Sequence, residues 1–229
     1  MGRKESRQQN RSLVTYNDSK SPIAEQYRTI RTNIQYASVD REIRTIMVTS
    51  AGPGEGKSTT VANLAVVMAQ QGKKVLLVDS DLRKPTVHYT FRKSNDQGLT
   101  NVLTHQARLD AVISPSDVLG LDILTSGPVP PNPAELLSAK SMESFISDAL
   151  ADYDIVLFDS PPVLAVTDAQ ILSNLCDGVV LVLSSGKTEQ DGAKKAKELL
   201  DNANAKILGA VLNAKELKQS QYYYYYGSS

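Results

Sequence analysis

One segment narrows the possible folds more than any other. In VTSAGPGEGKST, residues 48–59, an apolar run enters a glycine-rich loop that closes on Gly56-Lys57-Ser58 and continues into STTVANLAVVMAQQ, a helix-forming stretch. Glycines at 52, 54 and 56 let successive backbone N–H groups turn inward around phosphates, and the start of a helix adds partial positive charge at the same point. Lys57 can reach the β- and γ-phosphates of such a ligand, and the Ser58 hydroxyl can ligate Mg2+. The segment is therefore a phosphate-binding loop of the Walker type. Its nucleotide-binding candidates are Gly52, Pro53, Gly54, Glu55, Gly56, Lys57, Ser58 and Thr59, and Ala51 stands where the strict pattern has its first glycine. The alternative is a glycine-rich turn without a ligand; the strand before the loop and the helix after it weigh against that reading.

A nucleotide with its metal needs carboxylates nearby, and two apolar runs end in aspartate. VLLVD closes on Asp79-Ser80-Asp81-Leu82-Arg83, and IVLFD on Asp159-Ser160-Pro161-Pro162. In an open α/β sheet, ligands collect outside the carboxyl ends of the strands, so Asp79, Asp81 and Asp159 can converge on the loop. Any one of them could instead cap a helix; three beside one phosphate loop exceed what capping requires. The runs IRTIMVTS, KKVLLVD, YDIVLFD, GVVLVLS and KILGAVLN are almost continuously apolar rather than alternating. That pattern belongs to strands covered on both faces, and it predicts a doubly wound α/β fold with a mainly parallel sheet and helices on both sides. Between Asp81 and Asp154 the pattern is less regular, with a helix expected at ARLDAVI, a strand at LDIL and a stiff connector in SGPVPPNP.

The ends differ from this middle. Residues 1–20 carry Arg3, Lys4, Arg7 and Arg11 against Glu5 and read as a flexible basic arm. Ser21-Pro22 has the form of an N-cap followed by proline at the first helical position. Ile23, Tyr27, Ile30 and Ile34 then place an apolar stripe on the inward face, leaving Glu25, Arg28 and Arg31 on another face at three-residue intervals. The domain is expected to span residues 21–214, and residues 215–229 to form a flexible tail. Half of the chain's ten tyrosines, Tyr222, Tyr223, Tyr224, Tyr225 and Tyr226, lie in that tail; taken alone, the run is either a biased end or a substrate.

Composition removes several classes. Twenty-five basic and twenty-five acidic side chains cancel, so no overall field favours nucleic acid. The single cysteine, Cys176, cannot form an internal disulfide and is expected to be buried and inert, which fits a cytoplasmic location. No apolar run approaches the ~18 residues that span a bilayer, and no segment resembles a signal peptide, so membrane association is expected to come through a partner.

Taken together, these segments resemble the bacterial tyrosine kinases, specifically the separate cytoplasmic kinase of Gram-positive capsule and exopolysaccharide systems. AGPGEGKST is similar to the family's Walker A motif, LLVDSDLRKP to its Walker A′ motif, IVLFDSPP to its Walker B motif and EQYRTIR to its Glu-x-x-Arg-x-x-Arg motif, with the tyrosine cluster at the end. The resemblance implies ATP and Mg2+ as substrate and cofactor. Lys57 would bind phosphates, and Ser58, Asp81 and Asp159 would hold the metal directly or through water. Asp79 and Asp81 would share metal organisation and proton acceptance from tyrosine, a division the sequence leaves open. Arg83 follows those aspartates in a chemical or a structural role, and Asn213 either contacts adenine or caps a turn. Glu25, Arg28 and Arg31 would form a subunit contact that assembles a ring. Tyr222–Tyr226 would accept phosphate in a neighbouring subunit.

The expected partners are a transmembrane polysaccharide co-polymerase that activates the kinase at the inner face of the membrane, a protein-tyrosine phosphatase and further protein substrates. Two readings compete. A Mind/Par-type ATPase would carry a signature lysine where this loop has Gly52, and a nucleotide-binding adaptor would bind without transferring phosphate. GTPases are disfavoured, because no Asn-Lys-x-Asp motif for guanine is present.

Overall fold

The computed structural model describes residues 13–37 and 42–215. Two helices, α1 (Val14–Asn17) and α2 (Pro22–Tyr36), precede β1 (Thr45–Ser50), the phosphate loop and α3 (Lys57–Ala69). β2 (Val75–Asp79) is followed by the short helices α4 (Val87–Phe91), α5 (Leu99–Leu103) and α6 (Leu109–Val112), then by β3 (Ser114–Pro115) and β4 (Leu121–Leu124). α7 (Pro133–Leu137) and α8 (Lys140–Asp152) lead to β5 (Ile155–Asp159), α9 (Asp168–Ser173) to β6 (Gly178–Ser184), and α10 (Gln190–Asn202) to β7 (Ile207–Asn213).

The strands form a seven-stranded sheet in the order β3-β4-β2-β5-β1-β6-β7. Every pairing is parallel except β3 with β4. The apolar runs supply both faces by alternation. Met47, Leu76, Val78, Val156, Phe158, Val179 and Leu181 enter one core with Phe145 and Leu200. Ile46, Val48, Leu77, Leu157, Val180 and Val182 enter the other, against α3. This is the doubly wound arrangement expected from continuous apolar strands. β1 sits between β5 and β6, and the chain leaves it first towards β2 and later returns towards β6, so the crevice at the carboxyl ends of β1, β2 and β5 is a topological switch point.

α3 is buried almost all round, from Ser58 and Thr60 through Ala69, as a helix must be when it has sheet on one side and more helix on the other. α1 and α2 supply that outer cover. Ser21 caps α2 by accepting from the Ala24 N–H at 3.2 Å, and Pro22 occupies its first turn.

Three expectations are corrected here. The end of the expected arm is folded: Thr15 in α1 is fully buried, its hydroxyl donating to Asn63 Oδ1 at 2.8 Å and its N–H to the same oxygen at 3.0 Å. The buried face of α2 is Ala24, Tyr27 and Ile34, with Ile23 48% exposed. Arg31 lies towards that face and donates to the Val67 carbonyl of α3 at 3.0 Å, so it does not continue the Glu25–Arg28 pair, which closes at 2.7 Å. A small alanine lets the first turn of α2 approach its neighbours where isoleucine would hold it off. Cys176 as a residue is only half-buried, at the margin of one core, although its thiol is still desolvated enough to be pushed up in pKa. The residues of the tyrosine run and the basic positions 3, 4, 7 and 11 lie outside the described residues. Among the described residues no helix is long and apolar enough to cross a membrane.

Candidate active site

The loop between β1 and α3 takes its shape from two glycines in left-handed conformation, Gly54 at φ +70° and Gly56 at φ +97°. Gly56 is the N-cap of α3 and has no side chain to occupy the helix N-terminus, so the first-turn N–H groups face the crevice with the helix dipole behind them. Lys57 opens the helix and turns its ammonium towards the ends of β2 and β5. Its Nζ lies 3.0 Å from Asp81 Oδ2, 3.2 Å from Asp159 Oδ1 and 3.3 Å from Ser58 Oγ.

Asp79 and Asp159 stand side by side because β2 and β5 pair in register at those positions. Both are fully buried. The amides of Thr86 and Val87 each donate to Asp79 Oδ2 at 2.8 Å, while Lys84 N–H donates to Asp81 Oδ1 at 3.0 Å. Desolvation, reinforced by the neighbouring Asp159 charge, pushes the Asp79 carboxyl up to about 8. Burial raises Asp159 as well, opposed chiefly by the Lys57 charge. Burial works against the Lys57 ammonium, but Asp159, Asp81 and Asp79 outweigh it and hold its pKa above the ordinary lysine range. Three carboxylates facing one ammonium leave an excess of negative charge, the condition under which a buried site retains a proton or takes a cation.

The site fits Mg2+. Asp79 Oδ1 and Asp159 Oδ2 are buried with no hydrogen-bond partner among the described residues, and such oxygens are costly unless something positive reaches them. Ser58 Oγ lies beside them, receiving a hydrogen bond from Thr86 Oγ1 at 3.2 Å. Among the described residues no group of three or more His, Cys, Asp or Glu side chains could enclose a metal by itself. Mg2+ held by one or two carboxylates, a hydroxyl, waters and substrate phosphates needs no such cage.

The structure therefore brings Lys57, Ser58, Asp79, Asp81 and Asp159 together and leaves other candidates apart. Asn213 sits behind the loop, its Nδ2 donating to the Glu55 carbonyl at 2.9 Å. Arg83 turns away from the cluster into a two-bond pair with Asp168, Nε to Oδ2 at 2.8 Å and Nη2 to Oδ1 at 2.9 Å, and this pair holds α9 to the end of β2. Glu25, Arg28 and Arg31 lie on α2, outside the cluster. Sequence reading missed Thr86, Lys84 and Asp168. Lys84 lies inside the Walker A′ segment and Thr86 is a hydroxyl just past it, whereas Asp168 carried no local signal.

This geometry defines a P-loop nucleotide-binding protein. A family model described as an AAA domain matches residues 43–210. The chain is 58% identical to the tyrosine-protein kinase YwqD of Bacillus subtilis over 218 residues, 95% of this chain and 92% of that one. Among solved structures, the chimerical protein CapA2B2 superposes with TM-score 0.87 at 44% identity, covering 90% of each chain. The kinase domain of the Escherichia coli tyrosine kinase ETK also gives TM-score 0.87, at 33% identity over 95% of this chain and 85% of that one. The chain belongs to the bacterial tyrosine-protein kinases, and the Mind/Par-type reading gives way to that membership.

Proposed function

We propose that the protein transfers the γ-phosphate of ATP to tyrosines 222–226 of a neighbouring copy, and that this modification regulates capsule or exopolysaccharide synthesis. The observation that carries the reading is the cluster of Lys57 with Asp79, Asp81 and Asp159 at the mouth of the phosphate loop. Nucleotide binding alone has little use for so many buried carboxylates. A tyrosine hydroxyl, with an ordinary pKa near ~10, is protonated at neutral pH and needs a proton acceptor as the new bond forms. Asp79 or Asp81 takes that role, and the remaining carboxylates with Ser58 would hold Mg2+. When bound, the metal supplies charge neutralisation at the transferring phosphoryl group. Lys57 exchanges its carboxylate contacts for phosphate oxygens and adds to that neutralisation, and the loop N–H groups orient the chain of phosphates. Asn213, at the carboxyl end of β7, is assigned to the adenine side of the loop.

Transfer between subunits is supported by the open face of α2. α2 exposes the Glu25–Arg28 pair, with side chains 55% and 30% exposed, together with Ile23, and α1 exposes Tyr16, apolar and charged side chains of the kind subunit contacts use. From Asn213 to Tyr222 a fully extended chain spans at most ~30 Å, enough to cross a protomer surface. With no crossing helix among the described residues, recruitment to the inner face of the membrane is assigned to a transmembrane co-polymerase partner, and reversal to a phosphatase.

Complementation tests transfer in trans. A Lys57→Met chain is mixed with a chain whose tail tyrosines are all phenylalanine, and Mg·ATP is added. Phosphotyrosine should form on the tail of the Lys57→Met chain. Its absence, under conditions where the unaltered protein is labelled, would overturn transfer between subunits.

A further inference from the structure

Three consecutive carbonyls of the phosphate loop point away from the crevice and are held there by side chains from a different part of the fold. Lys187 Nζ, in the turn between β6 and α10, donates to the Pro53 carbonyl at 2.9 Å and to the Gly54 carbonyl at 3.2 Å. Asn213 Nδ2 donates to the Glu55 carbonyl at 2.9 Å. Thr188, next to Lys187, donates its hydroxyl to Glu55 Oε1 at 2.7 Å and receives the Ser184 N–H at 2.8 Å, which ties the loop's one acidic side chain to the end of β6.

The peptide bond is planar and trans, so the carbonyl of one residue and the N–H of the next point in opposite directions; the described chain contains no cis peptide. Fixing the Pro53, Gly54 and Glu55 carbonyls outward therefore fixes the N–H groups of Gly54, Glu55 and Gly56 inward. None of those three N–H groups has a hydrogen-bond partner among the described residues. Without the anchors, two glycines at positive φ would leave this stretch many conformations to lose on binding phosphate.

We infer that Lys187 is a positioning residue for the nucleotide. It holds the outer carbonyls so that the inward N–H groups are already aligned for the phosphates shared by ATP and ADP. The inference rests on the loop being the nucleotide site of the proposed kinase. Lys187 is exposed and points its ammonium at backbone carbonyls, 3.0 Å from where a Cβ on Gly54 would stand. Its effect is therefore on loop order and passes through the peptide planes.

The test compares Lys187→Met and Lys187→Arg with the unaltered full-length protein, using a fluorescent ADP, competition by ATP, and phosphotyrosine formation over a range of ATP concentrations. Lys187→Met should weaken ADP and ATP alike by about tenfold, the scale of losing hydrogen bonds made by a charged donor. KM for ATP should rise in step while kcat is retained, and Lys187→Arg should recover most of the affinity. The nucleotide-free unfolding midpoint should not move, since the side chain is exposed. Unchanged ADP affinity in Lys187→Met would overturn the inference. So would a loss confined to ATP, or a fall in kcat at saturating ATP with affinity kept, because either would place Lys187 at the transferring phosphate. Nucleotide affinity is read without phosphoryl transfer, so a protein that binds ADP but forms no phosphotyrosine would fail the kinase reading and leave this one to be judged on the binding data.

Discussion

Gly56 shows how much of the site depends on single backbone positions. Its φ of +97° disfavours any side chain, and an added Cβ would stand 2.0 Å from Asn213 Nδ2. Gly72 has a similar φ of +88° with nothing within 4 Å, and so serves as a control. Gly72→Ala should cost about 1–2 kcal/mol, the left-handed penalty alone, and Gly56→Ala should cost more and weaken nucleotide binding; equal losses in denaturant unfolding would contradict the Asn213 contact. Cys176 offers a pH test. Burial, then the adjacent Asp177, pushes its thiol up, and because the thiolate is the reactive form, alkylation of the folded protein at pH 8 should be slow and should accelerate only above the usual thiol range. Equal rates in buffer and in urea, read by intact mass, would contradict this. Lys57, Ser58 and the three aspartates were legible in the sequence because each is a short-range signal, a loop motif or a strand that ends in carboxylate. Asp168 and Lys187 were not, since each meets its partner across the fold, 85 residues away for Asp168 and over 130 for Lys187.

Elements position those residues, and their legibility followed the strength of the pattern. Continuous apolar strands and the largely apolar α3, buried along its length with Thr60 and Asn63 among its few polar positions, announced the sheet and its covering helix. α2 was placed correctly by Ser21 and Pro22, and Tyr27, Ile30 and Ile34 do line its inward side; only Ile23 was misplaced, because Ala24, too small to stand out in the apolar pattern, takes the buried position in the first turn. α1 gave no signal, since its one buried side chain is a threonine satisfied by Asn63. Thr15→Val should therefore cost about 1 kcal/mol by removing the hydroxyl from the buried Asn63 carbonyl, and an unchanged unfolding midpoint would show that α1 is not anchored there. The Arg83–Asp168 pair makes a larger claim. Arg83→Ala leaves Asp168, fully buried, without its guanidinium. Since the arginine itself is 40% exposed, the loss should be about 2 kcal/mol, below the range for breaking a fully buried pair. Autophosphorylation at a temperature well below the midpoint should be kept; its abolition with unchanged stability would return Arg83 to the chemistry.

Across the whole molecule, balanced charge and an α/β domain say little about function, and the meaning of the tyrosine run depends on the site formed by Lys57 and the aspartates. On the proposed reading, each phosphate would add about −1.5 to −2 charges to a tail that enters a crevice already rich in carboxylates and nucleotide phosphate. Repeated transfer should therefore loosen contact between copies, and sizing before and after ATP treatment should show a smaller species once several phosphates are present. The central claim is that Lys57 and the aspartates drive phosphate onto tyrosines 222–226. Peptide mass spectrometry of the purified full-length protein, with and without Mg·ATP, beside an Asp159→Ala variant, tests it most directly. The account predicts phosphotyrosine on those residues in the unaltered protein and at least a hundredfold less in the variant, about the loss expected when charge stabilisation at the transferring group is removed. Equal labelling of the two proteins, or no phosphotyrosine in a preparation that binds ATP, would contradict it.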